Sequence, residues 1–381
     1  MKKAVLVASR KTPLYLTREF ETLARVAGYE IVGKIVIRPR GSKHRLTHSK
    51  LEEIIQEIKA REAEYVLVQP DLPPSDILLL RKNTRKEIVD RTLLLLEVFE
   101  RNAGSKEAKL QIQVARMKHE LPFIKELVNR AKRGELPGFL AGGAYAVDRH
   151  YRHVRKKVAE YNTALEKLRL QRRITRKRRR KSGFISVAIV GYANAGKTTL
   201  FNKLTGSSKQ TGNTPFTTIT PKTARSSRGA PIVYTDTVGF VSNVPAEIID
   251  AFHATLEEIT FSDIIVYVLD ITEDTGIIEK RLGDSFHTLR KIGAIDKPLI
   301  IFLNKVDECM EEKILEKIIA VRKHTTMEYP SAIFILKGSA KDAYTAKTLE
   351  DVLWRLVELR LLSSESATGQ KETRELLATS H

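Results

Sequence analysis

One run of eight residues, Gly191-Tyr192-Ala193-Asn194-Ala195-Gly196-Lys197-Thr198, carries the clearest chemistry in the chain. It fits the spacing G-x-x-x-x-G-K-[ST]. The apolar run Phe184–Val190 leads straight into it, and the helix-forming Thr199–Leu204 follows. Glycines let backbone N–H groups curl around phosphate oxygens at a helix N-terminus, which already favours anions. At this spacing Lys197 reaches the β- and γ-phosphates of a nucleotide, and the Thr198 hydroxyl takes a place on Mg²⁺.

Further short motifs follow in order, each at the end of a β-rich run. Pro231–Thr235 ends in Asp236-Thr237-Val238-Gly239. There the carboxylate can hold Mg²⁺ through water, and the Gly239 N–H can meet a γ-phosphate. Ile264–Asp270 and Pro298–Leu303 read as two more buried strands, the second delivering Asn304-Lys305-Val306-Asp307 at a carboxyl edge, where ligands bind in open α/β sheets. An Asp carboxylate there can accept hydrogen bonds from N1–H and N2–H₂ of guanine. Adenine lacks both donors, so the pairing selects GTP over ATP. After Ala332–Leu336, Ser339-Ala340 can set a backbone N–H on guanine O6. Asp-x-x-Gly alone would be weak; the ordered set is specific.

Between the first two motifs lies Phe216-Thr217-Thr218-Ile219-Thr220, preceded and followed by proline. A threonine here would close over Mg²⁺ and the γ-phosphate in the GTP state; Thr218 is chosen over Thr217, and a plain Thr-rich loop is the alternative. The expected catalytic set is Lys197, Thr218 and Gly239, and the expected Mg²⁺ set is Thr198, Thr218 and Asp236. Phe240 stands where many GTPases carry a water-orienting Gln. An apolar side chain cannot activate water, so intrinsic hydrolysis should be slow, with help from a partner, another loop or a cation. Asn194 either ligates K⁺ near the phosphates or ties the loop together by a hydrogen bond.

These residues need a scaffold, and the 381-residue chain is long enough for two or three domains. Residues 1–85 alternate β-rich Ala4–Val7, Ile31–Ile37 and Tyr65–Val68 with helical Thr22–Ala27 and Leu51–Ala60, which predicts a small α/β unit. Residues 86–181 carry two apolar stripes stepping by threes and fours. One is Leu110, Val114, Met117, Leu121 and Ile124; the other runs from Tyr151 through Val154, Val158, Tyr161 and Leu165 to Leu168. They predict a coiled-coil hairpin whose Gly-rich tip lies at 134–143. From 182 to 362 strands and helices alternate, as a P-loop domain with a mostly parallel sheet requires. The polar tail 363–381 is expected to be disordered.

Charge divides the chain more sharply than composition does. The net charge is +20, yet residues 1–181 hold 43 Lys+Arg against 21 Asp+Glu, while residues 182–381 hold 23 against 25. Eight cations crowd the eleven residues Gln171–Lys181, with no acid among them. Such a run is a solvated face, a linker or a grip on phosphates, and a phosphate-rich partner is the favoured reading. Sparse aromatics there argue for backbone contact with structured RNA over stacking on single strands. With one cysteine, no disulfide framework or Cys-rich zinc site is expected. No apolar string approaches the ~20 residues that span a bilayer, so a cytoplasmic protein is expected; a monomer is the expected state.

The motifs resemble those of the HflX family of ribosome-associated GTPases. The resemblance rests on Gly191–Thr198, Phe216–Pro221, Asp236-Thr237-Val238-Gly239-Phe240-Val241 and Ala251-Phe252-His253-Ala254-Thr255-Leu256-Glu257-Glu258. Upstream, Asp90-Arg91-Thr92, Gly104–Gln113 and Leu121-Pro122 carry it further. It implies a GTPase that binds the large ribosomal subunit, acts in splitting or rescue of stalled ribosomes, and directs its N-terminal domain towards the peptidyl-transferase region. The basic half would contact ribosomal RNA. Two alternatives stand beside this: an RNA-binding or remodelling protein using nucleotide as a conformational cofactor, and a signalling GTPase with a protein partner.

Overall fold

The computed structural model describes residues 1–38, 46–133, 143–207, 221–242, 245, 248–249, 256–329 and 333–356. The expected threonine loop, the centre of the Gly-rich tip, residues 251–255 and the C-terminal tail lie outside the described residues.

Two sheets organise the chain. The first has the order β2-β1-β3-β4, formed by Lys2–Ser9 (β1), Tyr29–Ile37 (β2), Tyr65–Val68 (β3) and Glu87–Asp90 (β4), all parallel. Helices α1 (Leu14–Val26), α2 (His48–Ala60) and α3 (Pro74–Thr84) provide the crossovers. The unbroken apolar run of β1 is what a strand buried on both faces requires. The unit expected over 1–85 runs further, because β4 pairs with β3 and α4 (Arg91–Asn102) packs Leu94, Leu95 and Phe99 into the same core. Asp90 ends β4 and caps α4, accepting a hydrogen bond from the Leu93 N–H at 2.9 Å. β4 has only four residues, and its short run gave little periodicity to read.

Two long helices follow, α5 (Lys106–Lys132) and α6 (Gly143–Lys181), and they pack against each other. Val114 and Ile124 of the first stripe and Val154 and Leu165 of the second are buried, as a helical hairpin demands. The basic end of α6 departs from expectation. Arg172 pairs with Glu107 at 2.6 Å, and Arg176 pairs with Glu257 at 3.3 Å and Glu258 at 3.5 Å. The Arg176 guanidinium also lies over the Phe261 ring, 3.9 Å from its centroid. Residues 169, 172 and 176 share one helix face, and that face docks on the second sheet's domain. The acids that neutralise it come from elsewhere in the fold, so the run is only partly solvated. Arg173, Lys177, Arg178 and Lys181 remain exposed.

The second sheet has the order β10-β9-β8-β5-β7-β6. Its strands are Ile185–Gly191 (β5), Lys222–Arg225 (β6), Ile232–Asp236 (β7), Ile264–Asp270 (β8), Leu299–Asn304 (β9) and Ile333–Lys337 (β10). Every pairing is parallel except β6 with β7. The central position of β5 sets its C-terminal loop at the carboxyl edge, between β7 and β8. Helix α7 (Lys197–Thr205) begins directly after that loop. Among the described residues, no helix is long and apolar enough to cross a membrane.

Candidate functional site

The turn from β5 into α7 depends on two glycines. Gly191 has φ +141°, and a Cβ there would run into the Val268 carbonyl of β8. Gly196, at φ +95°, would drive a Cβ into Asn304 Nδ2. Between them Asn194 adopts φ +63° and is exposed at the loop's apex, a conformation asparagine tolerates better than most residues.

Lys197 is buried, and its Nζ donates to the Tyr192 carbonyl at 2.6 Å. Burial pushes its pKa down to about 8, while the Asp236 carboxylate opposes the shift. The Thr198 hydroxyl donates to Asp236 Oδ2 at 3.1 Å. A hydroxyl from the first turn of α7 and a carboxylate from the end of β7, side by side, form a hard-oxygen donor pair that fits Mg²⁺. Bound there, Mg²⁺ would neutralise charge on the β- and γ-phosphates. Thr217 and Thr218, with Phe216, Ile219 and Thr220, lie outside the described residues.

The segment after β7 lies directly on the loop. The Phe240 N–H donates to the Gly191 carbonyl at 2.9 Å, and the Phe240 carbonyl accepts from the Ala193 N–H at 3.1 Å. Thr237 is tied beneath, its hydroxyl donating to the Ile189 carbonyl at 2.8 Å. A Cβ at Gly239 would stand 3.1 Å from both Ala193 Cα and Lys197 Nζ, so the glycine is what permits this approach. Phe240 is buried with Tyr192, Leu256 and Ile259, its ring committed to the core and away from any water.

At the base-binding edge, Asn304 is buried and bridges two loops. Its Nδ2 donates to the Ala195 carbonyl, and its Oδ1 accepts from the Ala340 N–H, both at 2.7 Å. It therefore holds the phosphate loop against Ser339-Ala340, the pair expected to offer a backbone N–H to guanine O6, and of the two the Ala340 N–H is bonded to Asn304. Lys305 has φ +67°, and its ammonium pairs with Asp270. Val306 and Asp307 form one 3₁₀ turn with Glu308, and the Asp307 carboxylate is exposed at the surface with Lys341 Nζ 3.9 Å away. The Ser339 N–H lies 3.4 Å from Thr345 Oγ1.

Sequence reasoning passed over several participants. For Asn304, expected in the guanine motif, the spacing did not reveal that it also staples two loops. Asp270 and Ser242 carried no spacing that marked them. Glu19, and the contact that Arg91 makes with the segment after β7 from the N-terminal unit, could be found only through the fold.

Comparison with known proteins agrees with this geometry. Residues 186–305 match a family model described as 50S ribosome-binding GTPase. Residues 102–179 match one described as GTP-binding GTPase middle region, and residues 15–100 one described as GTP-binding GTPase N-terminal. The break between these last two falls at the end of α4. The GTPase HflX of Hyperthermus butylicus is 42% identical over 344 residues, covering 89% of this chain and 92% of its own. That of Thermococcus kodakarensis is 37% identical, covering 89% and 77%. A crystal structure of SsGBP in complex with GDP is 29% identical and covers 93% of this chain and 98% of its own, with a TM-score of 0.53. With a phosphate loop, a carboxylate strand end and a guanine-type loop on one sheet edge, and with relatives matching nearly end to end, the chain belongs to the HflX family of GTP-hydrolysing proteins.

Proposed function

We propose that this GTPase binds the large ribosomal subunit through its basic N-terminal half, and that GTP hydrolysis releases it, in ribosome splitting, rescue or biogenesis. The observation that carries the ribosomal reading is the exposed edge of α6. Its inner arginines are neutralised against Glu107, Glu257 and Glu258, whereas Arg173, Lys177, Arg178 and Lys181 face solvent. Cations held on a rigid helix, with their counter-charges elsewhere, suit the phosphates of a structured RNA.

In the reaction, Lys197 draws the β- and γ-phosphates, Gly239 offers its N–H to the γ-phosphate, and Asp307 reads the guanine. Thr198, Asp236 and Thr218 would hold Mg²⁺, which would supply positive charge to the phosphates. The buried Phe240 ring supports slow intrinsic hydrolysis, with a rate set by the ribosome or by K⁺ at Asn194. The setting is the cytoplasm, and the working form is a monomer.

Sedimentation with purified large subunits tests the reading, run with GDP, with a non-hydrolysable GTP analogue and without nucleotide. Co-sedimentation strongest with the analogue is expected. Absence of binding in every state would sink the ribosomal role and leave the GTPase intact.

A further inference from the structure

Asp90-Arg91-Thr92 resembles a family motif, yet it lies in the first unit, outside the loops that hold nucleotide. Its chemistry becomes visible at the contact between the two sheets' domains. Arg91 Nη2 donates to Glu19 Oε1 and to the Ser242 carbonyl, each at 2.7 Å. The Ser242 hydroxyl donates to Glu19 Oε2 at 3.0 Å and lies 3.4 Å from the Tyr192 hydroxyl. Tyr192 belongs to the phosphate loop, and burial raises its pKa, so it stays a protonated donor. The ion pair is largely enclosed, with side chains 11% and 13% exposed, and Ser242 is fully buried. Asp90 is held in turn by His119 of α5 at 2.7 Å. A charge-assisted chain thus runs from α5 and α1 through Arg91 to the segment after β7, and on to the phosphate loop.

Apolar packing follows the same route. Val238, Val241 and Ile248 are buried in one cluster with Phe20, Leu94, Leu95 and Phe99 of the first unit, while Phe240 turns into the core of the second. The Gly239 segment is therefore shared between two cores. It is also pressed close to the loop. The Phe240 backbone is bonded to Gly191 and Ala193 of the loop, and Gly239 lies close against Ala193 and the Lys197 ammonium. An oxygen that contacts the Lys197 ammonium and the Gly239 N–H together has to enter between this segment and the loop, as a γ-phosphate would and a β-phosphate would not.

We infer that Arg91 and Glu19 are positioning residues for the GTPase, clamping Ser242 so that the N-terminal unit holds the Gly239 segment down and opposes entry of the γ-phosphate. This rests on the reading of Gly239 as the γ-phosphate contact. GTP affinity then includes the cost of opening the clamp, and GDP affinity does not. Linkage makes the effect reciprocal: GTP loosens the N-terminal unit's hold.

The test uses the full chain, with fluorescent GDP and a fluorescent non-hydrolysable GTP analogue. Arg91→Ala is expected to bind the analogue about tenfold more tightly, with GDP affinity unchanged within about twofold. Ser242→Ala, which removes the hydroxyl's links to Glu19 and Tyr192 but keeps the carbonyl bonded to Arg91, is expected to gain less. Arg91→Lys, which keeps one cation on Glu19, should fall back towards the unaltered protein. In the unaltered chain, amide exchange over residues 91–102 should quicken with the analogue and not with GDP. Equal shifts for both nucleotides, or no shift, would overturn the clamp. Should Arg91→Ala fail to fold, Glu19→Gln and Arg91→Lys carry the same comparison. If Gly239→Ala leaves the unaltered preference between analogue and GDP intact, the γ-phosphate reading itself falls, independently of the clamp.

Discussion

Lys197 and Asn304 show how single residues set the terms of nucleotide binding. Burial brings the free ammonium's pKa down to about 8, and phosphates bind its charged form. Bound nucleotide therefore raises that pKa, and affinity should be level near neutral pH and weaken once pH exceeds about 8. The limit is about tenfold per pH unit, measurable by titrating GDP at several pH values. A flat profile up to pH 10 would count against a charged Lys197 at the phosphates. Asn304→Ala would strand the Ala195 carbonyl and the Ala340 N–H in a dry site, at about 1–3 kcal/mol each. The expected result is a loss of about 2–5 kcal/mol in denaturant unfolding, with weaker GDP binding. At Asn194, exchange of Na⁺ for K⁺ should accelerate turnover in the unaltered protein and not in Asn194→Ala; equal rates in both salts would leave this residue only its conformational role.

At the scale of elements, the end of α6 joins two parts of the molecule through Arg176. Its side chain is 14% exposed, faces two glutamates and covers the Phe261 ring. Charge-assisted contacts that are this enclosed exceed ordinary surface pairs in strength. Arg176→Ala should therefore cost about 2 kcal/mol by equilibrium unfolding, and a double-mutant cycle with Glu257→Gln should show coupling. Additive losses would mean that packing on Phe261 carries the contact. Glu107 belongs to the same joint. Burial raises its pKa and the guanidinium of the docked Arg172 pulls it back down. The stripes on α5 and α6 were legible because helical periodicity survives in any fold that buries one face. The edge strand Lys222–Arg225 was not legible, being half-exposed and polar with no alternation to read.

For the whole molecule, the expected RNA contact has a specific signature. Replacing Arg173, Lys177, Arg178 and Lys181 with glutamine should weaken binding to large subunits and flatten its salt dependence, since each phosphate contact releases counterions. Circular dichroism and GDP affinity should stay unchanged, because these side chains are exposed and remote from the docked face. Unchanged subunit binding would place the interface elsewhere in the basic half.

The short motifs of the nucleotide site were legible in the chain alone. Phosphate loops, strand-end carboxylates and the Asn-Lys-x-Asp turn work through short-range spacing and backbone freedom, so Gly191–Thr198, Asp236–Gly239 and Asn304–Asp307 could be read directly, in order and with their strands. The sequence also located the positive charge in the first half. Tertiary structure alone decided how that charge is divided. Arg172 and Arg176 are spent on Glu107, Glu257 and Glu258 from other elements, and their neighbours on the opposite face are left to solvent. Only the fold, too, brought Glu19 and Arg91 to Ser242, more than 150 residues away. Pair contacts across domains leave no period in a chain; they depend on where two cores meet, and here they meet on the segment that carries Gly239.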